Sequence, residues 1–204
     1  MHKILTMEAR STDQIITDIF YLYEAFGGDE YAGEKVSQLE HMSQAAQLAI
    51  HENQSDEVVL AAFFHDIGHL LPVHDEYESM DGFGVTDHEK LGANYLRSLG
   101  FSETLCRLIA SHVNAKRYLT YKHPGYYQQL SEASKVTLEY QGGRMTEEES
   151  KAFESDPLFN LYIKMRTWDE AAKMEQVPLP DLAYFKKLAI KHLNRSGRFE
   201  SVGF

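Results

Sequence analysis

The chain has 204 residues, 43% hydrophobic and 12% aromatic, and a formal net charge of -11. That length and composition suit one folded domain with a sizeable core and exclude a disordered or fibrous chain. With no block of five or six basic residues, the acidic balance repels polyphosphate backbones, so nucleic acid is not an expected partner.

No stretch reaches the ~18 apolar residues of a membrane span, so no membrane association is expected. The opening MHKILTMEARSTDQ has neither a long apolar core nor a small-residue cleavage site. The lone Cys106 lies in the apolar run 105–109 and reads as a buried structural thiol. These features point to the cytoplasm.

The predicted elements are helical almost throughout. Ile15, Ile16, Ile19, Phe20, Leu22, Tyr23 and Phe26 form an apolar stripe that Gly27-Gly28 ends. Val36, Leu39, Ala45, Ala46, Leu48 and Ala49 repeat that period. Asp56 precedes VVLAAFFHDIGHLL, a helix apolar nearly all round, and the polar loop PVHDEYESMDGFGV follows. Thr86 and Glu89 have capping-box spacing, which makes His88 the second residue of a helix. Ser102 opens SETLCRLIASHV, and the Tyr-rich RYLTYKHPGYY interrupts the pattern as a loop and a short helix. After Gln141-Gly142-Gly143, Thr146 and Glu149 form a second capping box. Helices near 158–174 and 181–194 complete an all-α, bundle-like single domain, with the last helix packing on the core.

The chemistry concentrates at His65-Asp66, directly after VVLAAFF. A charged carboxylate at the end of so apolar a segment is costly unless it is paired or bound to a cation. The doublet offers one imidazole nitrogen and up to two oxygens, so Asp66 can bridge two metals. Imidazole suits iron, manganese, zinc and cobalt, and carboxylate favours the harder of these.

His41, then His65-Asp66, then a distant Asp169 in RTWDEAAK is the pattern that resembles the HD superfamily, here in the variant His65-Asp66-Ile67-Gly68-His69. His88 and His112 fall where binuclear members carry ligands for a second ion. The resemblance implies a single HD-domain helical bundle over 1–204, with its core motifs at 31–169. It assigns His41, His65 and Asp169 to one metal, His88 and His112 to the other, and Asp66 as the bridge.

Most HD proteins are phosphohydrolases, and a metal-dependent hydrolase of a nucleotide or other phosphate ester is the alternative reading. A third reading, a non-catalytic HD module, fits less well because all six ligand positions are filled. Tyr31 and Glu34 upstream of His41, Lys116 after His112, and SEASKVTLEYQGGRMTEEE are similar to a smaller branch, the HD-domain mixed-valent diiron oxygenases of phosphonate breakdown. That resemblance implies two irons as an Fe(II)/Fe(III) pair, with dioxygen and a small hydroxyphosphonate as partners. The C–P bond of a 1-hydroxy-2-(amino or trimethylamino)ethylphosphonate would be cleaved to glycine or glycine betaine plus phosphate.

Carried over by position, Tyr31 would plug an open iron site at rest. Glu34 would meet the substrate nitrogen, and His69, Lys116, Ser134 and Thr137 would hold the phosphonate. Without the resemblance, Tyr31 reads equally as a core aromatic, Glu34 as a solvated charge, Lys116 as a surface lysine, and Ser134 and Thr137 as ordinary helix residues. Tyr118, Tyr121, Tyr126 and Tyr127 offer either cation–π contacts to a trimethylammonium group or plain packing. His51, His74, His123 and His192 are left as surface or structural.

Overall fold

The structure, a computed structural model, describes residues 10–31, 33–72, 80, 82 and 84–196. Most of the expected polar loop, with His74, lies outside them. Eleven α-helices make up the described residues, which contain no strand beyond one isolated bridge between Glu30 and Ser37.

Helix α1 (Thr12–Phe26) starts at a Ser11/Gln14 capping box and buries Ile16, Ile19, Phe20, Leu22 and Tyr23. Helix α2 (Gln38–His51) has its own capping box, Ser37 with Glu40. Helix α3 (Asp56–Phe64) is capped by Ser55, and every residue from Val58 to Phe64 is buried. It therefore takes the middle of the molecule, in contact with α2, α5 (Glu103–Ile109), α10 (Phe159–Ala171) and α11 (Leu182–Ser196). Phe63 stacks between Tyr23 at 4.6 Å and Phe185 of α11 at 3.9 Å. Each such buried ring stabilises the fold by ~1.5–3 kcal/mol, and through Phe185 α11 packs against α3.

Helix α3 stops sooner than the apolar pattern predicts. Tyr23 donates its hydroxyl to the Phe63 carbonyl, and His65 donates Nδ1–H to that of Ala62 at 2.8 Å. These side chains take carbonyls that the next helical turn would use. A 3-10 turn (Ile67–Leu70) follows. The expected helix SETLCRLIASHV divides for the same reason. Ser111 and His112 donate to the carbonyls of Leu108 and Ile109, and the chain restarts as α6 (His112–Lys122).

The Thr86/Glu89 capping box does not form. Asp87, in the left-handed region at φ 59°, is the N-cap of α4 (His88–Ser98), so His88 is its first residue rather than its second. The first half of the Tyr-rich stretch belongs to α6, and only α7 (Tyr126–Gln129) is a separate short helix. The Thr146/Glu149 box forms in full and opens α9 (Glu147–Glu154), after α8 (Glu132–Tyr140). No helix among the described residues is long and apolar enough to cross a membrane.

Candidate metal centre

Four histidines reach one buried point from four segments: His41 on α2, His65 after α3, and His88 and His112 as the first residues of α4 and α6. Each hydrogen-bonds a backbone carbonyl through Nδ1: His41 to Ala172 at 2.9 Å, His65 to Ala62 at 2.8 Å, His88 to Val85 at 3.1 Å and His112 to Ile109 at 2.9 Å. A carbonyl only accepts, so Nδ1 carries the proton and Nε2 turns a lone pair inward. The Nε2 atoms converge in pairs, His41 with His65 at 3.0 Å and His88 with His112 at 3.0 Å.

Asp66 stands between the pairs. Its Oδ2 is 3.4 Å from Nε2 of both His41 and His65, and its Oδ1 is 3.3 Å from Nε2 of both His88 and His112. Asp169 Oδ1 lies 3.4 Å from His41 and 4.0 Å from His65. Asp66 Oδ1 and Asp169 Oδ1 are buried without a hydrogen-bond partner. Lone pairs facing lone pairs, beside orphaned carboxylate oxygens, are a costly arrangement unless cations sit between them. The local field agrees. Burial alone would lower the His41 imidazole, yet the carboxylates of Asp169 and Asp66 raise it to about 9. The residues present thus fit metal ions at two adjacent positions, with nitrogen and oxygen donors of the kind iron takes.

Local geometry brings these groups close. A Cβ on Gly68 would meet the His88 carbonyl oxygen at 2.0 Å, so only glycine lets the 3-10 turn lie against the start of α4. His69 follows Asp66 by a turn, its N–H bonded to the Asp66 carbonyl at 2.9 Å, and its ring stacks on His88 at 4.0 Å. The i, i+3 register of a 3-10 turn therefore gives the shared face for which a continuing helix was expected. Gly84, at φ 102°, leaves room for the His69 ring, on which its Cβ would intrude at 2.4 Å.

These groups line a cavity of about 50 Å³, together with Tyr31, Glu34, Lys116, Ser134 and Thr137. Every site residue expected from sequence therefore lies either at the His/Asp cluster or on this wall. Lys116, one turn past His112 on α6, is buried and donates to Thr137 Oγ1 at 2.9 Å and to the Ser134 carbonyl at 3.5 Å. Burial, then the Arg166 charge, lowers its ammonium to about 7. Tyr31 and Glu34 share a turn, with Glu34 N–H bonded to the Tyr31 carbonyl at 2.9 Å. The Tyr31 ring lies on His41 at 3.9 Å and 12°, and burial followed by the Asp66 charge raises its phenol well above the usual range.

Sequence reasoning missed two residues. Arg166, one turn before Asp169 on α10, is buried and donates to Asp169 Oδ2 at 2.5 Å, to Glu170, and to the Tyr126 hydroxyl at 2.9 Å. Its i, i+3 spacing from Asp169 was a usable signal. Lys173 pairs with Glu34 at 2.8 Å across 139 positions of sequence, a contact with no local signal.

The four tyrosines do not form a cage on the cavity. Tyr118 packs against Phe153 and Phe159, Tyr121 is exposed, and Tyr126 is held by Arg166 and Glu170. Tyr127 lies under Lys135 and Arg144.

The HD domain family matches residues 38–156, more than half of the chain. A protein of Acanthamoeba polyphaga mimivirus without an assigned activity is 43% identical over 90% of this chain and 84% of its own length. The glycine-betaine-forming [1-hydroxy-2-(trimethylamino)ethyl]phosphonate dioxygenase of Leisingera caerulea is 36% identical, over 88% of this chain and 92% of its own. Hydroxymethylphosphonate dioxygenase of Gimesia maris is 38% identical, over 85% and 86%. With a buried His/Asp cluster at the heart of the matched region, the chain belongs to the HD-domain family and, within it, to the branch that includes these phosphonate dioxygenases.

Proposed function

We propose that this protein is an iron-dependent oxygenase that cleaves the C–P bond of a 1-hydroxyphosphonate. The class includes 1-hydroxy-2-aminoethylphosphonate, its trimethylated form and hydroxymethylphosphonate. One hydroxyphosphonate dianion and one dioxygen would give one carboxylate and one dihydrogen phosphate. The electron pairs of the C1–H and C–P bonds reduce the dioxygen. The observation that carries this reading is the division of Asp66 between two histidine pairs, on the same cavity wall as a buried cation and two hydroxyl side chains.

In this reading His41, His65 and Asp169 would hold one iron, His88 and His112 the other, and Asp66 would serve both. When bound, a mixed-valent Fe(II)/Fe(III) pair would supply the activation of dioxygen. The chain's own residues do the rest. Lys116 presents a charge, Thr137 and Ser134 present hydroxyls, and all three would hold phosphonate oxygens. His69 accepts the Val85 N–H on Nδ1 at 3.3 Å, which leaves Nε2–H as a further donor, and burial keeps the ring neutral. Tyr31, flat on His41, would fill an open coordination position until substrate displaces it.

The test is phosphate release by the iron-loaded protein from these three hydroxyphosphonates, with and without dioxygen. Release that needs both iron and dioxygen, with labelled oxygen in the carboxylate, is the expected result. Equal release under argon assigns the site to a hydrolase.

A further inference from the structure

Among the described residues, the cavity wall carries three carboxylates, Glu34, Asp66 and Asp169, and three cations besides the imidazoles, Lys116, Arg166 and Lys173. Asp66 and Asp169 face the histidine nitrogens, and the second oxygen of Asp169 is held by Arg166. Glu34 is therefore the one carboxylate on the described wall that could receive a cationic group of a substrate. It is already taken. Lys173 Nζ lies 2.8 Å from Glu34 Oε1, with both side chains only 15% exposed. Ser131 Oγ at 3.3 Å, Ser134 Oγ at 3.4 Å and Glu170 Oε1 at 3.8 Å complete the surroundings of the ammonium.

A pair so enclosed, with both partners held, is not the loose surface contact that solvent screens away. A substrate ammonium beside Glu34 would have to displace Lys173 or share one carboxylate with it, with Lys116 on the same wall. Among the described residues no aromatic box compensates. Tyr31 is the only phenol ring among the described lining residues, and one of its faces is covered by His41. The amide oxygens of Gln38 and Gln141, also on the described wall, are buried without a hydrogen-bond partner. These are neutral groups that either rotamer of the amide can reverse.

We infer that Lys173 is a specificity-determining residue that occupies Glu34, so that the substrate is a 1-hydroxyphosphonate with an uncharged group on C1 rather than an aminated one. The inference rests on the oxygenase reading and departs from the role that resemblance implies for Glu34. Discrimination comes from a repulsive element already built into the wall.

The experiment compares kcat/KM of the iron-loaded protein for hydroxymethylphosphonate, 1-hydroxyethylphosphonate and 1-hydroxy-2-aminoethylphosphonate. Wild type is expected to favour the two uncharged compounds by about tenfold or more. Lys173→Met frees Glu34 and is expected to shift that ratio toward the amine by about tenfold. Lys173→Arg, which keeps the charge, retains the wild-type preference. A wild-type protein that prefers the amine overturns the inference while leaving the oxygenase reading intact. So does a Lys173→Met protein that turns over substrate with the ratio unchanged. Absence of dioxygen-dependent phosphate from all three compounds overturns the oxygenase reading itself, and the inference with it.

Discussion

Replacing Gly68 by alanine tests whether the metal centre depends on a single missing methyl group. The added Cβ would sit 2.0 Å from the His88 carbonyl oxygen, 2.7 Å from its carbon and 3.0 Å from its Cα. All three atoms are backbone, so no side chain can swing aside. Reaching even the 3.0 Å that real Cβ contacts respect requires the 3-10 turn and the start of α4 to part by about 1 Å. Overpacking of this kind costs ~1–3 kcal/mol. The shift is aimed at function, because the His88 Nε2 atom that moves lies 3.0 Å from that of His112 and 3.3 Å from Asp66 Oδ1. A displacement of that size at a reacting centre costs about a hundredfold in rate. Urea unfolding of wild type and Gly68→Ala, with iron per chain by elemental analysis, measures both effects. The expected outcome is a folded variant, destabilised by ~1–3 kcal/mol, that loses chiefly the ion between His88 and His112. A variant within ~0.5 kcal/mol of wild type that still holds two metals would refute the reasoning.

Asp66→Ala is expected to weaken both metals, because each of its oxygens faces one histidine pair, whereas His88→Ala chiefly loses one; two full equivalents of metal in Asp66→Ala would sink the bridging role. Lys116→Met should raise KM for the phosphonate and also change how stability depends on pH. Burial holds the native ammonium near about 7, against ~10.4 in the unfolded chain. Between those values the unfolded chain binds the extra proton, so this group makes wild type gain stability as pH rises from about 7 toward ~10.4. Urea midpoints measured across that range should lose this rise in Lys116→Met, and an unchanged slope would show that Lys116 is not desolvated. Tyr31→Phe is expected to keep both metals but to let the irons oxidise faster in air without substrate, followed optically. Identical oxidation rates would remove the plugging role of the hydroxyl.

Much of this molecule was legible before folding because the relevant physics is local. Helix period, Ser102 as an N-cap, and the Thr146/Glu149 box depend on residues a few positions apart, and each is found as expected. His65-Asp66 stood out because a carboxylate at the end of an apolar run is costly unless paired or bound to a cation, and Gly68 could be read only as part of its motif. Less legible were the points where side chains compete with the backbone. Ser111 and His112 divide one expected helix into two, and Asp87 displaces the cap expected at Thr86. Apolar period is blind to both events, because neither changes which face is buried.

The candidate donors and their order along the chain are legible in the sequence alone, since the groups a residue can offer a metal are carried by the residue and not by its surroundings. Tertiary structure decided how those donors divide. Four backbone carbonyls orient four imidazoles, and that leaves one oxygen of Asp66 to each histidine pair. It also decided that Glu34 meets Lys173 from 139 positions away. Pairings of this kind depend on where helices dock, which is set by the whole core at once, so no window of sequence contains them.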